Sequence, residues 1–71
     1  MEQIDARGFG CPIPVIKTKK ALDAQPGKPL SVLVDAAVAV ENVTRLALSR
    51  DCKVDVENLD GGDFKLVLTP K

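Results

Sequence analysis

At 71 residues the chain is read as one domain, and a domain of that size buries only about 60% of the surface its unfolded chain exposes, which leaves a thin core and no room for an enclosed pocket of enzyme size. Hydrophobic residues at 45% and charged residues at 28% are ordinary globular proportions, while ten basic side chains against ten acidic ones cancel and count against a dedicated nucleic-acid binder. Histidine is absent, so His general bases, Cys–His dyads and His metal ligands are all excluded; the two cysteines, with 40 residues between them, make no zinc site, and neither metal nor cofactor is expected.

Residues 1–20 lack the apolar core of a signal peptide, and no apolar stretch approaches the roughly 20 residues of a membrane span. The expected location is therefore cytoplasmic, where both cysteines are thiols.

Six elements are predicted. Glu2 to Asp5 is a short strand with Ile4 as its inward anchor. Arg7-Gly8-Phe9-Gly10 is a loop whose glycines permit unusual dihedrals. It lacks the third glycine and the Lys-Ser/Thr of a phosphate loop. Cys11 to about Ala24 is a helix, and Gln25-Pro26-Gly27-Lys28-Pro29 is a break. Leu30 to Val34 is a central, well-buried strand of mostly apolar, β-branched character. Asp35 to Ala39 leads into a second helix that ends near Arg50, with Asp35 as its expected N-cap. The inward positions of this helix are Val40, Val43, Leu46 and Ala47, and Glu41 and Arg45 are spaced for an ion pair. Cys52, Val54 and Val56 alternate with polar residues as a half-buried strand. Asp60-Gly61-Gly62-Asp63 is a hairpin turn, its two aspartates read as turn chemistry. Phe64, Leu66 and Leu68 define the last strand. The order β-α-β-α-β-β implies an α+β, two-layer sandwich with two helices on one face of a four-stranded mixed sheet.

Cys11 is the residue with chemical promise. Pro is tolerated in the first helical turn, where the N–H groups have no intrahelical partner. Pro12 and Pro14 fit there as first and third residues, which puts Cys11 at or beside the N-cap. The positive end of a helix lowers a thiol's pKa and favours the nucleophilic thiolate. The prolines remove two donors, leaving chiefly the Ile13 and Val15 amides for an anion. Gly8 and Gly10 let a partner's backbone come close, and Arg7 is a further source of positive potential. The alternative is a small buried Cys on the Val15, Thr18, Leu22 side of the helix. Spacing alone leaves the two close, with the extreme helix start favouring function. Cys52 shares the parity of Val54 and Val56, so a core role is preferred to that of a resolving thiol.

Lys17, Lys19 and Lys20 form a local basic patch. A solvated helix face is the plain reading, docking of an acidic partner the sharper one. Two competing functions follow: a regulatory or RNA-contacting module that uses these lysines, and a thiol redox domain that uses Cys11 with Cys52.

The run Ile4-Asp5-Ala6-Arg7-Gly8-Phe9-Gly10-Cys11-Pro12-Ile13-Pro14-Val15 resembles the signature of the TusA/SirA/YedF-like sulfur carrier family, with Cys-Pro-x-Pro opening a helix after a short first strand. The similarity extends over the whole chain, and Val40-Glu41-Asn42-Val43-Thr44-Arg45-Leu46 looks closest to the YedF branch. Members of that branch can carry a second, C-terminal domain, so the chain is a candidate fragment of a longer protein. Gly10 and Ile13 depart from TusA proper, which often has Arg and an acidic residue there. The resemblance implies that Cys11 accepts sulfane sulfur from a cysteine desulfurase or rhodanese, holds it as a persulfide and relays it to an acceptor protein, as a sulfurtransferase-type relay and not a self-contained enzyme.

Overall fold

A mostly apolar run, Leu30–Val34, forms the strand on which the molecule is built, and every residue in it, Ser31 included, is buried. The computed structural model describes residues 2–10 and 13–71. Its elements are β1 (Glu2–Asp5), α1 (Ile13–Ala24), β2 (Leu30–Val34), α2 (Ala37–Ser49), β3 (Cys52–Asn58), a 3-10 turn at Asp60–Gly62 and β4 (Phe64–Pro70). The expected helix start at Cys11 and Pro12 lies outside the described residues. The strands lie in the order β1-β2-β4-β3; β1 runs parallel to β2, and β4 is antiparallel to both its neighbours. Two helices on one face of a four-stranded mixed sheet is the architecture anticipated above.

Side-chain alternation sends Leu30, Val32 and Val34 toward the helices, where they meet Leu66 and Leu68 of β4 and Cys52 of β3. From α1 come Pro14, Thr18 and Leu22, and from α2 Ala39, Val43 and Ala47, each set spaced by four so that it forms one stripe. Thr18 is fully buried, and its hydroxyl donates to the Pro14 carbonyl at 2.8 Å, so it brings no unsatisfied polar group into the core. On the opposite face Ser31 and Leu33 are buried without a helix over them. Their neighbours in register, Gln3 and Val67 beside Ser31, Asp5 and Lys65 beside Leu33, flank them on both sides.

Three expectations change. The α2 stripe is turned slightly from the predicted one: Ala39 joins Val43 and Ala47 in the core, while Val40 and Leu46 are only partly buried against it. The Glu41–Arg45 pair is not formed; among the described residues the ion pairs join Arg7 to Asp5 and Asp63, and Arg50 to Asp23. Val56, expected inward, is 48% exposed. The topology accounts for this. Helix α2 leaves the sheet at the end of β2 and returns at Cys52, the start of β3, with β4 between the two strands. It must cross diagonally, and the far end of the β3 edge is left uncovered.

Truncation separates the two kinds of strand position. Leu66→Ala, at a fully buried site, is expected to cost about 3 kcal/mol in urea denaturation, enough to threaten a domain this small. Val56→Ala should cost no more than about 0.5 kcal/mol. A Val56→Ala loss matching that of Leu66→Ala would show that α2 covers the β3 corner after all.

Candidate functional site

The chemistry-bearing segment begins where β1 ends. The Ala6 N–H donates to the Leu33 carbonyl at 2.9 Å, carrying the parallel pairing with β2 one residue further, and Ala6 is fully buried. The chain then leaves the sheet. Arg7 folds back on Asp5: Nε donates to Oδ1 at 2.9 Å, Nη2 to Oδ2 at 2.8 Å, and the Arg7 backbone N–H to Oδ1 at 3.1 Å. Its remaining arm, Nη1, donates to Asp63 Oδ2 at 3.0 Å. Gly8 has φ +81°, the left-handed region that favours glycine, and its N–H donates to Asp35 Oδ2 at 2.8 Å. Phe9 lies under Lys17, with Nζ 4.8 Å from the ring centroid. The Gly10 carbonyl accepts the Ile13 N–H at 3.0 Å.

Cys11 and Pro12, the first two residues of the motif, lie outside the described residues. Their neighbours on both sides are placed. Of the donors expected to remain for an anion, the Ile13 amide is committed to Gly10. Pro14 is buried in the first turn of α1.

The electrostatics also differ from the simple dipole picture. Hydrogen bonds from the Arg7 side chain and backbone hold the Asp5 carboxyl at about 2, and the same contacts, followed by Asp63, raise Arg7 above its usual value. Arg7 is thus a structural cation offset in place by two carboxylates. Asp35 adds a third carboxylate to the loop, against that single guanidinium. Asp35 was expected to cap α2, but Ala36 occupies the N-cap without a side-chain bond, and the Asp35 carboxylate reaches back to Gly8. Local spacing could not reveal this, because the partner is 27 residues away. The role of Asp63 was missed for the same reason.

Lys19 and Lys20 are exposed, whereas Lys17 is partly buried on Phe9. Three large apolar side chains stand exposed beside the motif: Phe9 at 47%, Ile13 at 36% and Ile16 at 44%. Gly8 and Gly10 have open space where a Cβ would stand. Cys52 is 3% exposed and lines a small cavity of about 130 Å³ with Leu22, Pro26, Gly27, Arg50 and Pro70. That cavity is at the far end of α1, since Ile13 to Leu22 spans about 13 Å of helix axis. A disulfide needs Cα atoms within about 7 Å, so Cys52 is poorly placed to resolve a thiol at the β1–α1 junction.

The Asp5–Arg7 contact has a definite acid signature. A carboxyl whose folded pKa is depressed adds stability that is fully present above its unfolded value of 3.8 and is lost as pH falls toward about 2. Carbon-detected NMR should therefore find Asp5 titrating near about 2, and Arg7→Ala should return it toward 3.8. An Asp5 midpoint near 4 with Arg7 intact would mean that the pair does not persist in solution.

Comparison with known proteins adds three likenesses. The family model described as Sulfurtransferase TusA matches residues 2–69. A protein of Methanocaldococcus jannaschii named as a candidate sulfur carrier is 36% identical over 69 residues, which cover 96% of this chain and 92% of that protein. The crystal structure of a SirA-like protein from Desulfitobacterium hafniense superposes with a TM-score of 0.90 at 32% identity, covering 97% of this chain and 96% of that one. A family match from the first strand to the last, on a shared fold with the Cys-Pro-x-Pro run at its β1–α1 junction, places the chain in the TusA/SirA-like sulfurtransferase family.

Proposed function

We propose that this chain is a sulfur carrier that holds sulfane sulfur as a persulfide on Cys11 and relays it from a donor protein to an acceptor protein. The observation that carries this reading is the family match over residues 2–69, with Cys11 and Pro12 following in sequence a tied-down loop and preceding α1, which opens with Ile13 and Pro14. Residues 1–71 act as one carrier domain, nearest the YedF branch. No helix among the described residues is long and apolar enough to cross a membrane, and a cytoplasmic setting suits a free thiol.

The chemistry is thiol exchange. The Cys11 thiolate attacks the outer sulfur of the donor's persulfide; a new S–S bond forms to Cys11 as the donor's S–S bond breaks, and the donor cysteine leaves as its thiolate. The transferred sulfur keeps its oxidation state and its hydrogen, so no external oxidant or reductant takes part. Delivery is the same step in reverse sense, with an acceptor's nucleophile attacking the terminal sulfur. Near the loop Asp5 and Asp63 are held by Arg7, Asp35 by the Gly8 N–H, and Lys17 lies on the Phe9 ring, so proton handling falls to the partners, a cysteine desulfurase or rhodanese on the donor side.

A docking surface accompanies the thiol. Exposed Phe9, Ile13 and Ile16 are an apolar centre, and Lys19 and Lys20 give it a basic rim. The matching partner surface is apolar with carboxylates around it.

Incubation with a cysteine desulfurase and L-cysteine, followed by mass spectrometry, should show a gain of about 32 Da, one sulfur atom, that Cys11→Ser abolishes and Cys52→Ser retains. An adduct that survives Cys11→Ser refutes the assignment. For the docking face, Ile16→Glu is expected to raise the KM for loading about tenfold without altering the melting temperature, and Lys19→Glu with Lys20→Glu to reduce the salt dependence of loading. Unchanged KM in both would remove α1 from the interface.

A further inference from the structure

The loop from Ala6 to Gly10 is tied down at every residue, and each tie reaches a different place. Ala6 is bonded to β2, Arg7 to Asp5 of β1 and to Asp63 ahead of β4, Gly8 to Asp35 after β2, Phe9 to Lys17 of α1, and Gly10 to Ile13 at the start of α1. Two of these ties, to Asp35 and Asp63, cross 27 and 56 residues of sequence. Both carboxylates lie on connecting segments at the same end of the sheet.

We propose that Asp35 and Asp63 form a latch that positions the loop for sulfur transfer, so that the Cys11 thiol meets a protein donor in one orientation. The inference rests on the carrier role of Cys11 argued above. The contacts are too exposed to be chiefly stabilising. The Arg7, Asp5 and Asp63 side chains are 42%, 55% and 26% exposed, and surface ion pairs contribute little to folding. What they supply is geometry. Gly8 has a backbone conformation that glycine adopts freely but does not enforce, and the Asp35 carboxylate selects it by accepting the Gly8 N–H. The Arg7 fork, gripped on both sides, prevents the loop from swinging about β1. Asp35 also gives up the N-cap of α2 for this contact, leaving Ala36 there with no side-chain cap. Asp35 and Asp63 act through the loop and touch no reacting atom, so they are positioning residues.

A positioning role predicts different outcomes for protein and small-molecule donors. A large donor must meet the thiol in a fixed approach, whereas glutathione persulfide can follow a mobile one. Loading of the full chain would be timed by mass spectrometry with a cysteine desulfurase plus L-cysteine, and separately with glutathione persulfide. Asp35→Ala and Asp63→Ala should each lower kcat for loading from the desulfurase about tenfold, with KM within about twofold of the parent. Loading from glutathione persulfide should stay within about twofold, with the melting temperature preserved and faster exchange of the Gly8 amide in Asp35→Ala. Asp35→Asn retains an acceptor oxygen and should restore most of the rate. Parent-like kcat in both alanine variants overturns the latch, as does an Asp35→Asn variant as slow as Asp35→Ala. Equal loss with both donors accompanied by a lower melting temperature also overturns it, because it marks a purely structural role. If the unmodified chain loads from neither donor, the carrier role itself fails, an outcome distinct from these.

Discussion

The parallel pairing of β1 with β2 is the constraint on which the site depends. Parallel strands end at the same edge of a sheet, so the segment that follows β1 and the segment that follows β2 emerge side by side. Strand β4 lies antiparallel to β2 and begins at that edge, with Phe64 opposite Val34. Three connections therefore converge at one end of a small sheet. One carries Arg7 and Gly8, one Asp35 and one Asp63. An antiparallel β1 would have sent the Cys-Pro-x-Pro segment to the other end of the sheet, away from Asp35 and Asp63.

That convergence explains how a thin-cored domain can hold an exposed loop in place. There is little apolar surface near the loop to pack it: beyond Ala6 it is exposed throughout its described length. Hydrogen bonds and the two ion pairs of Arg7 do the holding, each weak in free energy but strict in direction. The pairs differ in kind. Arg50–Asp23 joins the end of α2 to α1 through one 2.6 Å contact. Arg7 uses three side-chain bonds on two carboxylates and so sets an orientation as well as a distance.

Much of the framework could be read from local pattern, because local pattern is what alternation and helical period encode. The strands at Glu2–Asp5 and Leu30–Val34 have the predicted bounds, and the Asp60–Asp63 turn contains the two glycines in the left-handed region that its composition implied. What local pattern does not carry is the path of one element over another. Val56 has the right parity for the core and is uncovered because α2 crosses diagonally. Asp35 has the right position for a cap and bonds elsewhere because β1 ends beside it. Arg7 was read as a further source of positive potential; two aspartates, one 56 residues distant, claim it. Of the two glycines expected to relieve the backbone, Gly8 has a positive φ and Gly10 does not. Cys11 and Pro12 lie outside the described residues, so their part in the site is argued from their neighbours.

The exposed apolar residues supply the last step. A domain of 71 residues has few large side chains with which to build a core, and both of its aromatic residues are Phe. Phe64 packs against the core, yet Phe9 is left outside, with Ile13 and Ile16 exposed beside it, all within five residues of Cys11. Burying such side chains is the main way a small domain gains stability, each contributing roughly 1.5–3 kcal/mol when fully withdrawn from water. Leaving three of them partly exposed so close together in sequence is costly for the isolated chain. On the carrier reading proposed above, a partner surface that covers them offsets this cost and is seated next to the segment that carries Cys11. The fold provides a tied-down loop and an exposed apolar patch beside it, and on the carrier reading the acid–base chemistry enters with the protein that covers that patch.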